Sequence, residues 1–357
     1  MMKYKLNSHF KKNKIFVIAE AGSNWKVGSK EKDYKRAFKL IDIASNAGAD
    51  AVKFQTFSST GVYVQNAGYS KYLQKSGVRK TINEIFRENS MPSEMLYSLA
   101  SYCKEKHIEF MSTPFSLKDA KLVDKFVRVH KIASYEMNHI PLLEFLARTK
   151  KPIVVSTGAS TEYEIDFTVN YLQKMKVKEI ALLQCTACYP APMRSMNLSV
   201  IRYFQKKYGV YVGLSDHSIE SFVSPLVAIG LGANIIEKHF TISRKLNGPD
   251  HKFALEPNEL KNLVRVIRQA EEALGTGKKI IQNEELELRR FAKRAIQAKK
   301  NINIGDKLVL GENFDILRPG NRKRGAEPII LDKINGRRVK HRIKSGDGIH
   351  IRHIKRS

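Results

Sequence analysis

Along the first 275 residues, short apolar and β-branched runs alternate with longer stretches whose apolar residues recur every three or four positions. The short runs are Ile15–Ala19, Ala51–Phe54, Ile108–Met111, Val127–Ile132, Ile153–Val155, Ile180–Leu183, Val210–Leu214 and Asn234–Ile236. Tyr34–Ala47 and Leu260–Ala273 carry the helical period between them. Strand followed by helix, repeated eight times, predicts an α/β fold with a parallel sheet, and the length fits a (β/α)8 barrel. After Gly275-Thr276-Gly277 the pattern stays helical through Glu284–Arg290, and short strands with Gly-Asp turns then follow at Gly305-Asp306 and Gly346-Asp347-Gly348. The expected organisation is a catalytic barrel over 1–275, a helical linker over 276–290 and a small β-rich domain over 291–357.

The residues that close each apolar run carry the chemistry, because this barrel assembles its active site from the C-terminal ends of its strands. Glu20 follows the first run, Lys53 and Gln55 close the second, and Ser112 and Thr113 the third. Lys131, Ser134 and Glu136 end the fourth, Ser156 and Thr157 the fifth, and Gln184 and Thr186 the sixth. Ser215, Asp216 and His217 end the seventh, and Glu237 and His239 the eighth. Burying such groups without partners costs several kcal/mol each, so their recurrence on strand after strand points to a site. Residues two apart on a strand share a face, which sets Lys53 with Gln55, Ser215 with His217, and Glu237 with His239 toward the barrel mouth.

Lys53 and Lys131, expected on neighbouring strand ends, combine with the hydroxyls of Thr113, Ser134, Ser156 and Ser215 into a cradle for a phosphate or a phosphate plus a carboxylate. His217 and His239, on adjacent strands, suit one divalent ion in an open site, since two histidines are too few to close a structural zinc site. Glu20, Glu136, Glu237 and Asp250 supply carboxylates for orienting sugar hydroxyls or moving protons, and their spacing alone does not separate these roles.

Composition narrows the class without choosing the reaction. Of the 357 residues 42% are hydrophobic, enough for a large core, and the one long apolar stretch, Phe222–Ile236, is too short and too polar to span a bilayer. Ile15–Ala19 falls short of a signal-peptide core, so no export signal is expected and the chain reads as cytoplasmic. The formal net charge of +28 favours anionic partners, yet no basic module with interleaved aromatics is present, which argues against nucleic acid. Three cysteines argue against a disulfide framework, and Cys185-Thr186-Ala187-Cys188 lacks the second pair that a zinc site needs.

These residues together resemble the sialic acid synthase family, which makes N-acetylneuraminate and its relatives. The stretches that match are Ile18–Gly22, Ala47–Gln55, Ser112–Phe115, Lys131–Ser134 with Glu136, Ser156–Gly158, Cys185-Thr186 with Tyr189-Pro190, Gly213–His217, Glu237–Phe240, Gly248–His251 and Arg318–Gly320. The resemblance implies a barrel followed by an antifreeze-like (SAF) domain, exchanged across a homodimer. It implies that Lys53, Thr113, Lys131, Ser134, Ser156 and Ser215 hold phosphoenolpyruvate, and that His217 and His239 bind Mn²⁺. Glu20, Gln55, Tyr189, Glu237 and Asp250 would contact an open-chain N-acyl hexosamine, and Arg318 would reach its acyl-amino group from the other subunit. Glu136 would move protons, with Glu20, Lys53 and Lys131 beside the reacting atoms, while phosphate leaves by C–O cleavage.

The chain departs from the family at Ser23-Asn24-Trp25, where an Asn-His pair is common, and at Asn321–Gly325, which is more basic than usual and resembles spore-coat polysaccharide relatives. Gly248–His251 is closer to the sialate and legionaminate branches than to the pseudaminate branch. Other phosphoenolpyruvate-dependent aldol enzymes share the barrel logic and form the nearest rival. A degenerate barrel that binds polyanions without turnover is the non-catalytic alternative.

Overall fold

The computed structural model describes residues 9–10, 14–58, 61–70, 74 and 79–355, divided into two compact units, Met1–Gly275 and Thr276–Ser357. In the first unit, strands β1 (Phe16–Gly22), β2 (Ala51–Thr56), β3 (Glu109–Pro114), β4 (His130–Ile132), β5 (Ile153–Ser156), β6 (Ile180–Cys185), β7 (Tyr211–Asp216) and β8 (Ile235–His239) form one sheet. Its order is β3-β2-β1-β8-β7-β6-β5-β4, every hydrogen-bonded pair is parallel, and β3 and β4 lie side by side at its two ends. The result is a nearly closed (β/α)8 barrel.

Helices α1 (Lys30–Asn46), α2 (Ile82–Asn89), α3 (Ser93–Glu105), α4 (Leu117–Val123), α5 (Ile140–Arg148), α6 (Glu162–Lys174), α7 (Val200–Tyr208), α8 (Val223–Gly230) and α9 (Pro257–Leu274) connect these strands or follow them. Local chemistry sets their ends. Thr161 and Glu164 close a capping box at the start of α6, as Thr81 and Glu84 do for α2, and Gly209 ends α7 at φ +62°, where a side chain is strained. None of the described helices is long and apolar enough to cross a membrane.

All eight strands correspond to expected runs, but seven of them continue one to three residues past the last apolar position. Glu20, Gln55, Thr113, Ser156 and Ser215 therefore lie within strands rather than after them. The fourth strand is shorter than expected and begins at His130 rather than Val127.

Alternation splits each strand between two layers. Val17, Val52, Phe110, Val155, Leu182, Val212 and Ile236 face the helices and join the main core. Ile18, Ala51, Met111, Val129, Val154, Ala181, Leu183, Tyr211 and Ile235 fill the barrel interior together with Phe10, whose ring meets Phe16 and Tyr211 edge-on at 5.6 and 5.5 Å. Gly213 is required in this layer, because a Cβ there would stand 2.3 Å from the Ile235 carbonyl oxygen and 2.7 Å from Leu183 Cδ2.

The second unit pairs β9 (Ala295–Ala298) with antiparallel β10 (Phe314–Leu317) over a small core that includes Ile296, Ile302, Leu308, Phe314, Val339 and Ile349. Residues 276–282 are not helical, so the helical part of the stretch expected as a linker is a single 3-10 turn at Asn283–Glu285 followed by α10 (Leu286–Ala292).

Candidate active site

Two residues above the apolar interior layer, the same inward face of each strand turns polar. Glu20, Lys53, Thr113, Lys131, Ser156, Cys185, Ser215 and Glu237 form a ring, and Gln55, Ser134, Tyr189, His217 and His239 stand around it. Together with Phe115, Ala133 and Tyr135 these side chains line a cavity of ≈ 510 Å³, open at one side.

Lys53 is buried at the centre of the carboxylates. Its Nζ lies 2.7 Å from Glu20 Oε2 and 3.6 Å from Glu237 Oε1, and it donates to Thr113 Oγ1 at 3.0 Å. Burial alone would depress the ammonium, but Glu20 and Glu237 more than offset this and hold its pKa above the usual lysine value. Gln55 Nε2 donates to Glu20 Oε1 at 3.0 Å, and Ser215 Oγ donates to Glu237 Oε1 at 3.1 Å. The two carboxylates diverge in consequence. Burial raises Glu20, whereas for Glu237 the charges of Lys131 and Lys53, with the Ser215 hydrogen bond, overcome burial and lower it.

Lys131 donates to Ser156 Oγ at 2.7 Å and to the Ile132 carbonyl at 3.0 Å, and burial lowers its pKa despite Glu237. Contrary to expectation, the two lysines are not on neighbouring strands, because β3 separates β2 from β4. Each cation instead has its own hydroxyl partner, Thr113 for Lys53 and Ser156 for Lys131. Ser134 Oγ accepts from the Gly158 N–H at 2.9 Å, which orients the hydroxyl at the cavity wall.

His217 and His239 face each other with ring centroids 5.6 Å apart, and the Tyr189 ring lies 4.2 Å from that of His217. The Thr186 carbonyl lies 2.9 Å from His217 Nδ1, so that nitrogen donates and Nε2 remains for a ligand. His239 Nδ1 is buried without a hydrogen-bond partner among the described residues. Burial, then the charges of His217 and Lys53, hold its imidazole well below the usual histidine range, in the neutral form that binds metals. With metal–nitrogen bonds of about 2.0–2.1 Å, rings at this separation can share one divalent ion. No group of three or more His, Cys, Asp or Glu side chains suited to a metal occurs among the described residues, so the pair would leave coordination positions open.

Three other candidates do not line the cavity. Glu136 ends the 3-10 turn Ser134–Glu136; its Oε2 is buried without a hydrogen-bond partner among the described residues, and burial raises its pKa to about 7 against the opposing charge of Lys131. Asp250 accepts from the Ser23 N–H and Oγ at 3.1 and 2.8 Å. Its Oδ2 would be 2.6 Å from a Cβ at Gly22, which sits at φ +53°. Arg318 belongs to the second unit, after β10.

The departure at Ser23-Asn24-Trp25 acquires a structural account, since Ser23 holds Asp250, Asn24 Nδ2 donates to the Phe240 carbonyl at 2.8 Å and Trp25 is in the core. Cys185, expected only as half of an incomplete zinc pair and as part of a matching stretch with no role of its own, lines the cavity with Sγ 3.8 Å from His217 Nδ1. Its place two residues after inward-facing Leu183 was the available signal. Cys185 and Cys188 are both free, one buried and one exposed.

A family model described as the NeuB family matches residues 40–279. The spore coat polysaccharide biosynthesis protein SpsE of Bacillus subtilis is 36% identical, covering 94% of this chain and 92% of the relative. A pseudaminic acid synthase of Campylobacter jejuni is 34% identical over 94% of this chain and 95% of its own length. The crystal structure of the N-acetylneuraminic acid (sialic acid) synthetase of Leptospira borgpetersenii superposes with a TM-score of 0.68 at 31% identity, covering 80% of this chain and 95% of that one.

Proposed function

This chain belongs to the NeuB family, and from that footing we propose that it is a nonulosonic (sialic) acid synthase, joining phosphoenolpyruvate to N-acetylmannosamine to make N-acetylneuraminate. The observation that supports this most directly is the pairing of Lys53 with Thr113 and of Lys131 with Ser156, in one cavity with two carboxylates and two histidines.

In this reading Lys53, Thr113, Lys131, Ser134, Ser156 and Ser215 hold the phosphate and carboxylate of phosphoenolpyruvate through charge-assisted hydrogen bonds. Glu20, Gln55, Tyr189, Glu237 and Asp250 orient the open-chain sugar, and Arg318 of a second copy in a homodimer reaches its acyl-amino carbonyl. C3 of phosphoenolpyruvate bonds to the aldehyde carbon, and oxocarbenium character develops at C2. Water adds to C2 and its proton passes to Oε2 of Glu136, which stands outside the cavity lining and is reached through a further water; the oxygen of the former aldehyde takes up a proton, and as the C2–O bond to phosphate breaks the C2 hydroxyl becomes the ketone and its proton leaves with inorganic phosphate. His217 and His239 would hold a divalent ion, Mn²⁺ in our reading, whose Lewis acidity polarises a carbonyl oxygen.

The likeness to pseudaminic acid synthase and SpsE supports a second reading, in which the sugar is a 2,4-diacetamido hexose and the product is legionaminate, pseudaminate or a spore-coat sugar. Phosphate release and product mass are measured with Mn²⁺, phosphoenolpyruvate and each of N-acetylmannosamine, 2,4-diacetamido hexoses and a pentose phosphate. Turnover with N-acetylmannosamine is expected. Turnover with only the diacetamido sugars selects the second reading, and turnover with only the pentose phosphate overturns both.

A further inference from the structure

The second unit contains a cavity of ≈ 1150 Å³, open at one side and walled by residues 321–323 and 342–353. Arg322, Lys323, Arg342, Lys344 and Arg352 line it, against a single carboxylate, Asp347, which Arg322 already engages at 3.1 Å. Among the described residues no carboxylate pairs with Lys323, Arg342, Lys344 or Arg352. The surrounding sequence keeps the bias, with twelve lysines and arginines against three acidic residues over 321–357.

The walls are built rather than incidental. Gln297, 2% exposed, donates from Nε2 to the Lys323 and Gly346 carbonyls at 3.2 and 2.8 Å and accepts the Gly325 N–H on Oε1 at 2.6 Å, stitching both walls to β9. The two segments cross so closely that a Cβ at Gly348 would stand 2.1 Å from Gly325 N. His353 Nδ1 accepts the His350 N–H at 3.3 Å, which fixes the His353 ring at the cavity wall.

We propose that this cavity is a binding site for a small molecule bearing two or more linked phosphate groups, separate from the barrel cavity. Four cations with no carboxylate partner among the described residues repel one another, and one monoanion neutralises only a quarter of that charge. Linked phosphates present several acceptor oxygens to several guanidinium and ammonium donors at once. The concave shape of the site favours a compact ligand over an extended polymer.

The test is calorimetric titration of the full chain with inorganic tripolyphosphate, ATP, inorganic phosphate and a 20-base-pair DNA duplex at 50 and 200 mM salt. Saturable one-to-one binding of tripolyphosphate is expected, at least about tenfold tighter than that of phosphate. Arg342→Gln and Arg352→Gln should each weaken it by about tenfold or more, while Ser156→Ala in the barrel cradle leaves it unchanged. Unaltered melting temperatures show that these exposed-cation variants remain folded, and Lys344→Gln serves where one does not. Tighter binding of ATP than of tripolyphosphate through the same residues supports the site and adds recognition of the nucleoside. Equal affinity for phosphate and tripolyphosphate, loss of tripolyphosphate binding in Ser156→Ala, or tightest binding to DNA with a steep salt dependence each overturns the proposal.

Discussion

Lys53 Nζ stands 2.7 Å from Glu20 Oε2, with both side chains buried in the mouth of the barrel. Removing the cation strands a buried carboxylate, so Lys53→Met is expected to cost about 3–5 kcal/mol of stability. It should also lower kcat/KM for phosphoenolpyruvate by about 10- to 150-fold, the loss of one charge-assisted contact. Adding Glu20→Gln should restore part of the melting temperature and none of the turnover. Wild-type kinetics for phosphoenolpyruvate in Lys53→Met would remove the lysine from the cradle.

Glu136 gives a pH signature. Its pKa of about 7 in the folded chain exceeds the ordinary 4.5 because it is buried, so the native state holds the proton more tightly than the unfolded chain does. Stability from this group is present below about pH 4.5 and is lost as pH rises through 7. Glu136→Gln should therefore melt a few degrees above wild type at pH 8 and no higher at pH 4.5. If Glu136 takes the proton from water, turnover falls below pH 7 in the wild type and that limb vanishes in the variant. An unchanged acid limb assigns the ionisation elsewhere.

His217→Ala and His239→Ala should each abolish Mn²⁺ binding, read by electron paramagnetic resonance, together with turnover, while the far-ultraviolet circular dichroism stays unchanged. Chelation of the wild type should do the same, reversibly. Turnover by either variant at limiting metal would disprove the assignment.

Gly213→Ala tests the packing of the barrel interior. The added methyl meets a backbone carbonyl that cannot move without disturbing the β7–β8 ladder, so a loss of at least about 1–3 kcal/mol is expected in chemical denaturation. A stability equal to wild type would mean that the strands yield more easily than a close-packed interior allows.

Arg318 is tested by mixing. An Arg318→Ala chain and a His217→Ala chain, each nearly inactive alone, should recover up to about half the activity per mixed dimer if the arginine acts across a two-fold axis. Subunit exchange with no recovery excludes action in trans.

Much of the barrel was legible in the residues, because each strand begins as an apolar run and each helix repeats its period. The strand ends were not, for a physical reason. Glu20, Gln55 and Thr113 are polar, and a polar residue after an apolar run reads as the start of a loop unless its partner is known. Lys53 and Lys131 were recognisable as site residues, and their places on the second and fourth runs already set β3 between them, because strands follow one another in order around such a barrel; the expectation of neighbouring strand ends passed over this. Phe10 in the barrel interior and the ion pair of Asp216 with Lys238 also escaped, because their partners are distant in sequence and one of the pair looks like an ordinary surface lysine.

That ion pair shows how tightly β8 is written. Lys238 lies between Glu237 and His239 but faces away from them, and its buried Nζ meets Asp216 Oδ2 at 2.7 Å and the Ser218 carbonyl at 2.8 Å behind the cavity. The strand thus spells two messages in alternate letters, one for the reaction and one for the scaffold. Deleting a single residue upstream in β8 would exchange them, turning a lysine into the cavity and sending a glutamate and a histidine outward. Natural variation in chain length is therefore expected to accumulate between strands and to stop at this one, and a library of single-residue deletions should lose folding and turnover together there.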